Sequence, residues 1–459
     1  MARVSSEQIL RGPLVRTMVR LGWPAMVTSL LQALYNLADA FWIGHLPPAT
    51  SGPSVAAIQI SWPVVWLLIS FVAGLNGSAA SALISQYTGA ERHEEANHAT
   101  TQILAFLIIS GVVIAVAGYL VAPHLLDLLV DADAVTREAS LYIRTIFIGM
   151  PLLGVPFLFQ FSMAAYGDTV TPMFVNSTGV VLNILLDPIL IFGFGPIPSL
   201  GLFGAAIGTV ISQGLAALIA LSLLYRGQKG LRIVPSHVRP QWAWFRKITS
   251  IGLPAAIGQS GTAFGFVVLM AIIGRVPNAT VALAAYGIGD RMIGILFIAI
   301  SGLAVGLTTI LGQSLGADLP ERAWAAVRQG TAFMFGLLAV EALVIWLARE
   351  PLMTVFIPGR TDIIAAGVEF LGIFAPAMPF FGLFAAVGAV FRGSGHNVPT
   401  MIMEIARLWA FRVPLCAVFA LVLGMGATGV WYGMMASNIA AAGLAVALFA
   451  TGTWQRKVI

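Results

Sequence analysis

Twelve long apolar stretches dominate the sequence, and each exceeds the roughly 20 residues that a helix needs to cross a lipid bilayer. Only 9% of the 459 residues are charged, whereas soluble domains carry about 25%. This shortage of charge excludes a soluble enzyme, a disordered chain and a nucleic-acid-binding module. Because helices satisfy their own backbone groups in lipid, we expect an all-α polytopic membrane protein. The predicted spans are approximately 14–44, 54–85, 97–121, 139–163, 172–194, 202–225, 248–274, 281–312, 325–348, 363–391, 399–423 and 428–453.

The distribution of Lys and Arg predicts the orientation of these spans. An even number of spans puts both termini on one side, and that side holds 16 of the 24 Lys and Arg residues. The opposite loops hold four. By the positive-inside rule, we predict a multi-pass protein of the cell inner membrane with both termini cytoplasmic.

The two halves of the sequence repeat each other. Pro24 pairs with Pro254, and Gly208 pairs with Gly433, within a series of matches at a shift of 225–230 residues. Each half contains an even number of spans, so both copies enter the membrane in the same sense, which is the parallel type of transporter repeat. We therefore predict two pseudo-symmetric six-helix lobes that open a shared cavity to alternate sides of the membrane.

The repeat also fixes the predicted domain boundaries. An N-terminal lobe covers 1–225, a basic cytoplasmic connector covers 226–247, and a C-terminal lobe covers 248–459.

Several of the matched motifs resemble those of a known family. "WP" at 23–24, the paired Q-x-x-G-A segments that begin at Gln86 and Gln313, and "YGDTVTP" at 166–172 are similar to motifs of the multidrug and toxic compound extrusion (MATE) transporters. The resemblance covers nearly the whole chain. It implies export of small-molecule drugs, amphipathic and often cationic, driven by inward flow of H⁺ or Na⁺.

Within that family, two segments resemble the branch named DinF: "LYNLADAFWIG" at 34–44 and "NILLDP" at 183–188. In this branch the coupling cation uses the N-terminal lobe. The resemblance places the family's cation residues on Asp39, Asn183, Asp187, Thr209 and Tyr142.

The residues themselves favour the same site. A carboxylate at bilayer depth costs about 2.5–3.5 kcal/mol on insertion scales, so Asp39 and Asp187 need a polar cavity and partners. The repeat places apolar residues opposite both acids, Leu269 and Val413, which argues against a purely structural need for them. Two such acids repel each other when both are ionised. One H⁺, or one Na⁺ with enough oxygen ligands, relieves the repulsion.

Neighbouring polar residues extend the predicted site along its helices. Asn183 lies one turn before Asp187, and Thr209 and Tyr142 supply hydroxyl groups from other spans. The alternative interpretation is a polar patch that only joins helices. We predict that a further set lines the cavity or contacts substrate: Gln32, Tyr35, Asn36, Asn176 and Glu341.

Two prolines are candidate bending points. Pro188 follows Asp187 directly and leaves the carbonyl group of Ile184 without its usual donor. Pro24 lies near the start of the first span, and we expect cation loading to bend that helix between Pro24 and Asp39 and so displace substrate outward.

Other charges fall inside the spans. The spacing of Glu404 and Arg407 predicts a structural ion pair, with Arg412 as a cation that lines the cavity. Together with Arg144 and Arg291, these arginines leave open an alternative function, a flippase for lipid-linked precursors in the wider superfamily. A membrane receptor or scaffold that transports nothing is a second alternative.

The sequence contains no H-E-x-x-H or Walker motif, and we predict no enzymatic activity. We expect no cofactor and no metal other than a possible Na⁺ at Asp39, Asn183, Asp187 and Thr209. The predicted partners are small-molecule substrates and membrane lipids, with no nucleic acid, and we expect a monomer.

Overall fold

The apolar stretches fold into long helices in the computed structural model, which describes residues 4–46, 48–129, 133–227 and 229–459. Eleven stretches of these residues are long and apolar enough to cross a bilayer. Leu14–Gly44 forms a further helix of 31 residues. The predicted all-α polytopic fold is confirmed.

The helices follow one another with short connections. Their order is α1 (Ser6–Arg11), α2 (Leu14–Gly44), α3 (Pro48–Gly89), α4 (His93–Leu129), α5 (Asp133–Tyr166), α6 (Val170–Phe192), α7 (Gly201–Arg226), α8 (Trp242–Ile273), α9 (Ala279–Gly316), α10 (Pro320–Phe356), α11 (Thr361–Phe374), α12 (Met378–Ser394), α13 (Asn397–Ile405), α14 (Val413–Ala417) and α15 (Gly426–Ala450). Two π-helical segments, Ala406–Arg412 and Val418–Val422, flank α14.

Most helices extend beyond the apolar stretches that predicted them. α4 begins at His93 rather than 97, with Glu94 and Glu95 in its first turn, where acidic side chains complement the helix dipole. The sequence did not predict α1, since six residues are too few to form an apolar run. The hydroxyl oxygen of Ser5 accepts a hydrogen bond from the backbone amide of Gln8 and so caps the start of that helix.

The first compact unit contains Pro24–Ala256. Its helices pack around α5, which contacts α3, α4 and α7, while α6 lies against α7. A buried apolar core fills the space between them and includes Ile43, Val65, Phe147, Ile191 and Leu202.

The connector is bound to this first unit by side chains of α4. Gln102 accepts from the backbone amide of Gln241 at 3.1 Å and donates to the carbonyl group of Arg239 at 2.9 Å. Asn97 accepts from the amide of Arg232 at 2.9 Å. These bonds satisfy backbone groups that the connector cannot pair within itself.

The second compact unit contains Val4–Trp23 and Ile257–Ile459. Here α9 packs against α10, α11 and α12, and α15 packs against α12 and the π-helical segment Ala406–Arg412. Arg322 joins the N-terminal residues to this unit by donating to the carbonyl group of Ile9 at 2.8 Å.

The division between the units falls inside α2 and α8, at or near the paired prolines Pro24 and Pro254. In the second unit, a Cβ on Gly22 of α2 would lie 2.7 Å from the carbonyl oxygen of Gly302 in α9. In the first unit, a Cβ on Gly74 of α3 would lie 2.8 Å from the Cα of Ala256 in α8. Glycine therefore permits a close helix contact in each unit. The lobe boundaries 1–225, 226–247 and 248–459 stay predictions.

Candidate functional site

Two glycines bring α6 and α7 unusually close in the first unit. A Cβ on Gly204 would overlap the backbone of Leu190, and a Cβ on Gly208 would lie 2.6 Å from Oδ1 of Asp187. Without side chains at these positions, α7 packs directly on the carboxyl group of Asp187. The sequence comparison identified Gly208 only as a repeat landmark, although this contact makes it part of the site.

The two membrane acids of this unit lie side by side. Asp187 is fully buried, and its carboxyl group interacts with the carboxyl group of Asp39. Asn183 donates from Nδ2 to Oδ1 of Asp187 at 3.1 Å. Asp39 comes from α2 and Asp187 from α6, so packing unites two distant parts of the chain. We call these two residues the acid pair.

Hydroxyl groups from three helices surround the acid pair. Tyr35 of α2 shares a 2.9 Å hydrogen bond with Thr209 of α7 and also interacts with Asp39. Tyr142 of α5 interacts electrostatically with both acids. Both tyrosines are buried. The structure thus brings all five residues of the predicted cation site together, with Tyr35 added.

The site contains buried oxygen atoms that accept no hydrogen bond. Oδ1 of Asp39, Oδ1 of Asn183 and Oδ2 of Asp187 have no donor among the described residues. Buried acceptors without partners are unfavourable, and two adjacent carboxylates repel each other. A proton or a monovalent cation satisfies both demands. The described residues contain no group of three His, Cys, Asp or Glu suited to a metal ion.

The remaining predicted polar residues lie in other surroundings. Gln32 is half-buried on α2, and the side chain of Asn36 lies outside the described residues. Asn176 donates to Oε1 of Gln160 at 2.9 Å, so its amide is engaged away from the acid pair. Glu341 lies on α10 in the second unit, and its Oε2 is buried without a partner in the described chain.

Both predicted bending prolines lie within helices. Pro24 is inside α2, and its carbonyl oxygen accepts from the hydroxyl of Thr28 at 2.9 Å. Pro188 is inside α6, directly after Asp187.

The second unit contains a cluster of arginine side chains, in contrast to the acid pair of the first unit. Arg412 is buried and donates to Oγ of Ser437 at 3.0 Å and to Oδ1 of Asn438 at 2.6 Å. The predicted ion pair between Glu404 and Arg407 is wrong, because Glu404 pairs with Arg392 at 3.8 Å. The π-helical segment begins at Ala406. Its wider turn changes the angle between side chains three residues apart.

Comparison with known proteins agrees with the duplication. The MatE family model matches the chain twice, over residues 24–189 and 254–418. The chain belongs to the MatE family. Both matches begin at the paired prolines, Pro24 and Pro254. Members of the family are membrane transporters and not enzymes, so the prediction of no enzymatic activity follows from membership.

Relatives of the MatE chain match it almost end to end. It is 27% identical over 97% of its length to a probable multidrug resistance protein NorM of Thermotoga maritima, covering 94% of that protein. It is 24% identical over 91% of its length to a FAD transporter of Shewanella oneidensis, covering 90% of it. A crystal structure of MATE in complex with MaL6 has the same fold, with a TM-score of 0.89 at 24% identity and coverage of 97% and 98% of the two chains.

Proposed function

We propose that this MatE protein exports amphipathic, often cationic small molecules in exchange for H⁺ or Na⁺, and that the acid pair carries the coupling ion. The observation that carries the proposal is the set of three buried, unpartnered oxygens on Asp39, Asn183 and Asp187. This site occurs in a chain whose family consists of transporters. The name of the Thermotoga relative, a probable multidrug resistance protein, supports multidrug efflux.

In the proposed mechanism each group around the acid pair has a separate task. Asn183 holds Oδ1 of Asp187, so Oδ2 remains for the ion together with Oδ1 of Asp39. Tyr35 and Thr209 connect α2 to α7 by their hydroxyl bond. Loading of one positive charge removes the repulsion within the acid pair and draws α2 toward α6. Release of that charge restores the repulsion and loosens α2.

Movement of α2 connects the ion to the substrate. Pro24 leaves the carbonyl group four residues earlier without its helical donor, which makes this turn of α2 the weakest point for bending. A bend here alters the cavity of the N-terminal lobe (1–225) relative to the C-terminal lobe (248–459). The transporter then opens to the cytoplasm and to the outside in turn, with both termini on the cytoplasmic side of the inner membrane.

The decisive experiment measures dye transport in proteoliposomes. Uptake of a cationic rhodamine ester is driven by a pH or sodium gradient, imposed separately at fixed membrane potential. We expect Asp39→Asn and Asp187→Asn each to abolish gradient-driven uptake, since either change removes one charge of the acid pair. The gradient that drives the wild type identifies the coupling ion, and dye transport separates export from the flippase and receptor alternatives.

A matched control uses an acid outside the membrane site. Asp318 is exposed, pairs with Lys457 at 2.8 Å and has a left-handed backbone with φ of 54°, which asparagine also tolerates. We expect Asp318→Asn to transport at the wild-type rate. Wild-type rates in both acid-pair variants, with normal expression, would refute the proposal.

A further inference from the structure

Arg407 is a buried cation without a hydrogen-bond acceptor among the described residues. The residue is 7% exposed, and its Nε is buried without a hydrogen-bond acceptor. Within the described residues, no carboxylate oxygen lies within ion-pair distance of it. A buried charge without a close acceptor is unfavourable, so an additional negative group beside this guanidinium would be stabilising.

The surroundings of Arg407 are aromatic. Its guanidinium carbon lies 5.4 Å from the ring centre of Phe381 and 5.4 Å from that of Phe384. The two rings stack on each other at 5.8 Å. Arginine beside aromatic faces keeps its in-plane N–H groups free for a carboxylate or phosphate.

The neighbouring cations are already engaged by the protein. Arg412 has acceptors in Ser437 and Asn438, and Arg392 pairs with Glu404. Arg407 therefore differs from both in having no acceptor of its own.

The cluster around Arg407 contains more basic than acidic side chains. Three arginines, at 392, 407 and 412, interact electrostatically with two acids, Asp290 and Glu404. With all five groups ionised, the cluster carries one net positive charge. A single negative group beside Arg407 balances it.

The backbone at this point also departs from regular helix. Arg407 and Arg412 both lie on the π-helical segment Ala406–Arg412, and π-helical turns are frequent at functional sites. The corresponding stretch of α6 in the first unit is α-helical. The segment is thus a local feature of one half of the repeat.

We propose that Arg407 binds the anionic group, a carboxylate or phosphate, of an aromatic amphipathic substrate whose rings stack against Phe381 and Phe384. This inference rests on the proposed export function and adds a substrate class to it. Among the exported compounds, the second unit then favours aromatic ones that also carry one negative oxygen-based group. The first unit carries the coupling ion.

The test uses a matched pair of dyes: a rhodamine with a free carboxyl group and the methyl ester of the same rhodamine. Uptake of each is measured in proteoliposomes of neutral lipid under the driving gradient. We expect Arg407→Gln to reduce uptake of the carboxyl dye about tenfold, the scale of a lost charge-assisted hydrogen bond, and to leave the ester within about twofold. Arg407→Lys keeps the positive charge but lacks the planar set of N–H donors of the guanidinium, so we expect an intermediate loss of carboxyl-dye uptake.

The control is Arg360→Gln, which removes an exposed arginine paired with Asp362 and should transport both dyes like the wild type. Equal loss of both dyes in Arg407→Gln, or no loss of either, overturns the inference. Ester uptake in the wild type still reports on the proposed export function, so the two failures are distinguishable.

Two further measurements keep the test decisive if Arg407→Gln folds poorly. Purified wild-type protein should bind the carboxyl dye about tenfold more tightly than its ester, and equal affinities overturn the inference. A last arm adds an anionic lipid to the vesicles. If this lipid abolishes the preference of the wild type for the carboxyl dye, the lipid headgroup is the true ligand and the assignment to a transported substrate is overturned.

Discussion

The acid pair of the first unit and the arginine cluster of the second unit occupy corresponding parts of a duplicated chain. In the first unit, Asp39, Asp187 and Tyr142 meet around buried oxygens that lack donors. At the 228-residue shift that relates Met150 to Met378, Tyr142 corresponds to Phe370. Phe370 is fully buried and contacts the rings of Tyr286 and Trp431. One half therefore has the acid pair where the other half has an aromatic core.

The helix contacts beneath these two clusters are nevertheless alike. In the first unit, Gly208 lets α7 pack on α6, and in the second unit Gly433 lets α15 pack on α14. The contact surfaces differ in kind. A Cβ on Gly208 would meet a side-chain oxygen of Asp187 at 2.6 Å, whereas a Cβ on Gly433 would meet the backbone nitrogen of Cys416 at 2.7 Å. The two units therefore share close helix contacts at paired glycines, although the groups in contact differ. We call these shared contacts the duplicated frame, and matched substitutions can separate their effect on stability from the effect of the acid pair on transport.

The largest expected effect comes from Gly433→Ala. A backbone atom cannot rotate away from the new methyl group, so α14 and α15 must separate. We expect the free energy of unfolding to fall by about 1–3 kcal/mol, the usual cost of overpacking, measured as a lower unfolding temperature in detergent. Transport by the folded fraction should keep its dependence on the driving ion.

Gly208→Ala should lower transport and leave stability nearly unchanged, the reverse of what we expect from Gly433→Ala. The carboxyl group of Asp187 can rotate away from the methyl group, which preserves the helix contact but breaks the geometry of the acid pair. We expect an unfolding temperature near that of the wild type and gradient-driven dye uptake at least about tenfold lower, equivalent to about 1.4 kcal/mol. If the two alanine variants lose stability equally and transport equally, the distinction between frame and site is wrong.

The sequence predicted the helices well because a long apolar run that crosses lipid satisfies its backbone hydrogen bonds by forming a helix. It predicted that Asp39 and Asp187 would have polar partners for a related reason, since acids are costly in a membrane without them. It did not predict the ends of the helices, where polar residues such as Glu94 continue the helix beyond the hydrocarbon.

The relations that the sequence did not reveal depend on distances between helices. Gly208 resembles any repeated glycine until the structure places Asp187 against it. The predicted pair of Glu404 and Arg407 assumed α-helical spacing, which the π-helical segment from Ala406 does not have. Departures of this kind arise from packing against neighbouring helices and leave no periodic signal in the chain.

A smaller effect is expected from Thr209→Val, which keeps the shape of the side chain and removes its hydroxyl. Tyr35 then loses its 2.9 Å partner, a loss of about 1 kcal/mol for an ordinary hydrogen bond. We expect the concentration of coupling ion that gives half-maximal uptake to rise about fivefold. Thr178→Val is the control, because Thr178 is exposed and bonds only to a carbonyl group of its own helix.

The smallest effect is expected from Tyr142→Phe, which gives the first unit the residue type that the second unit has at Phe370. Because the duplicated frame accepts phenylalanine there, the unfolding temperature should not change. The phenol interacts with both members of the acid pair, so its removal should change the half-maximal ion concentration by about two- to threefold, corresponding to about 0.5 kcal/mol. A large drop in stability with unchanged ion dependence would show that Tyr142 belongs to the packing of the first unit rather than to the proposed ion site.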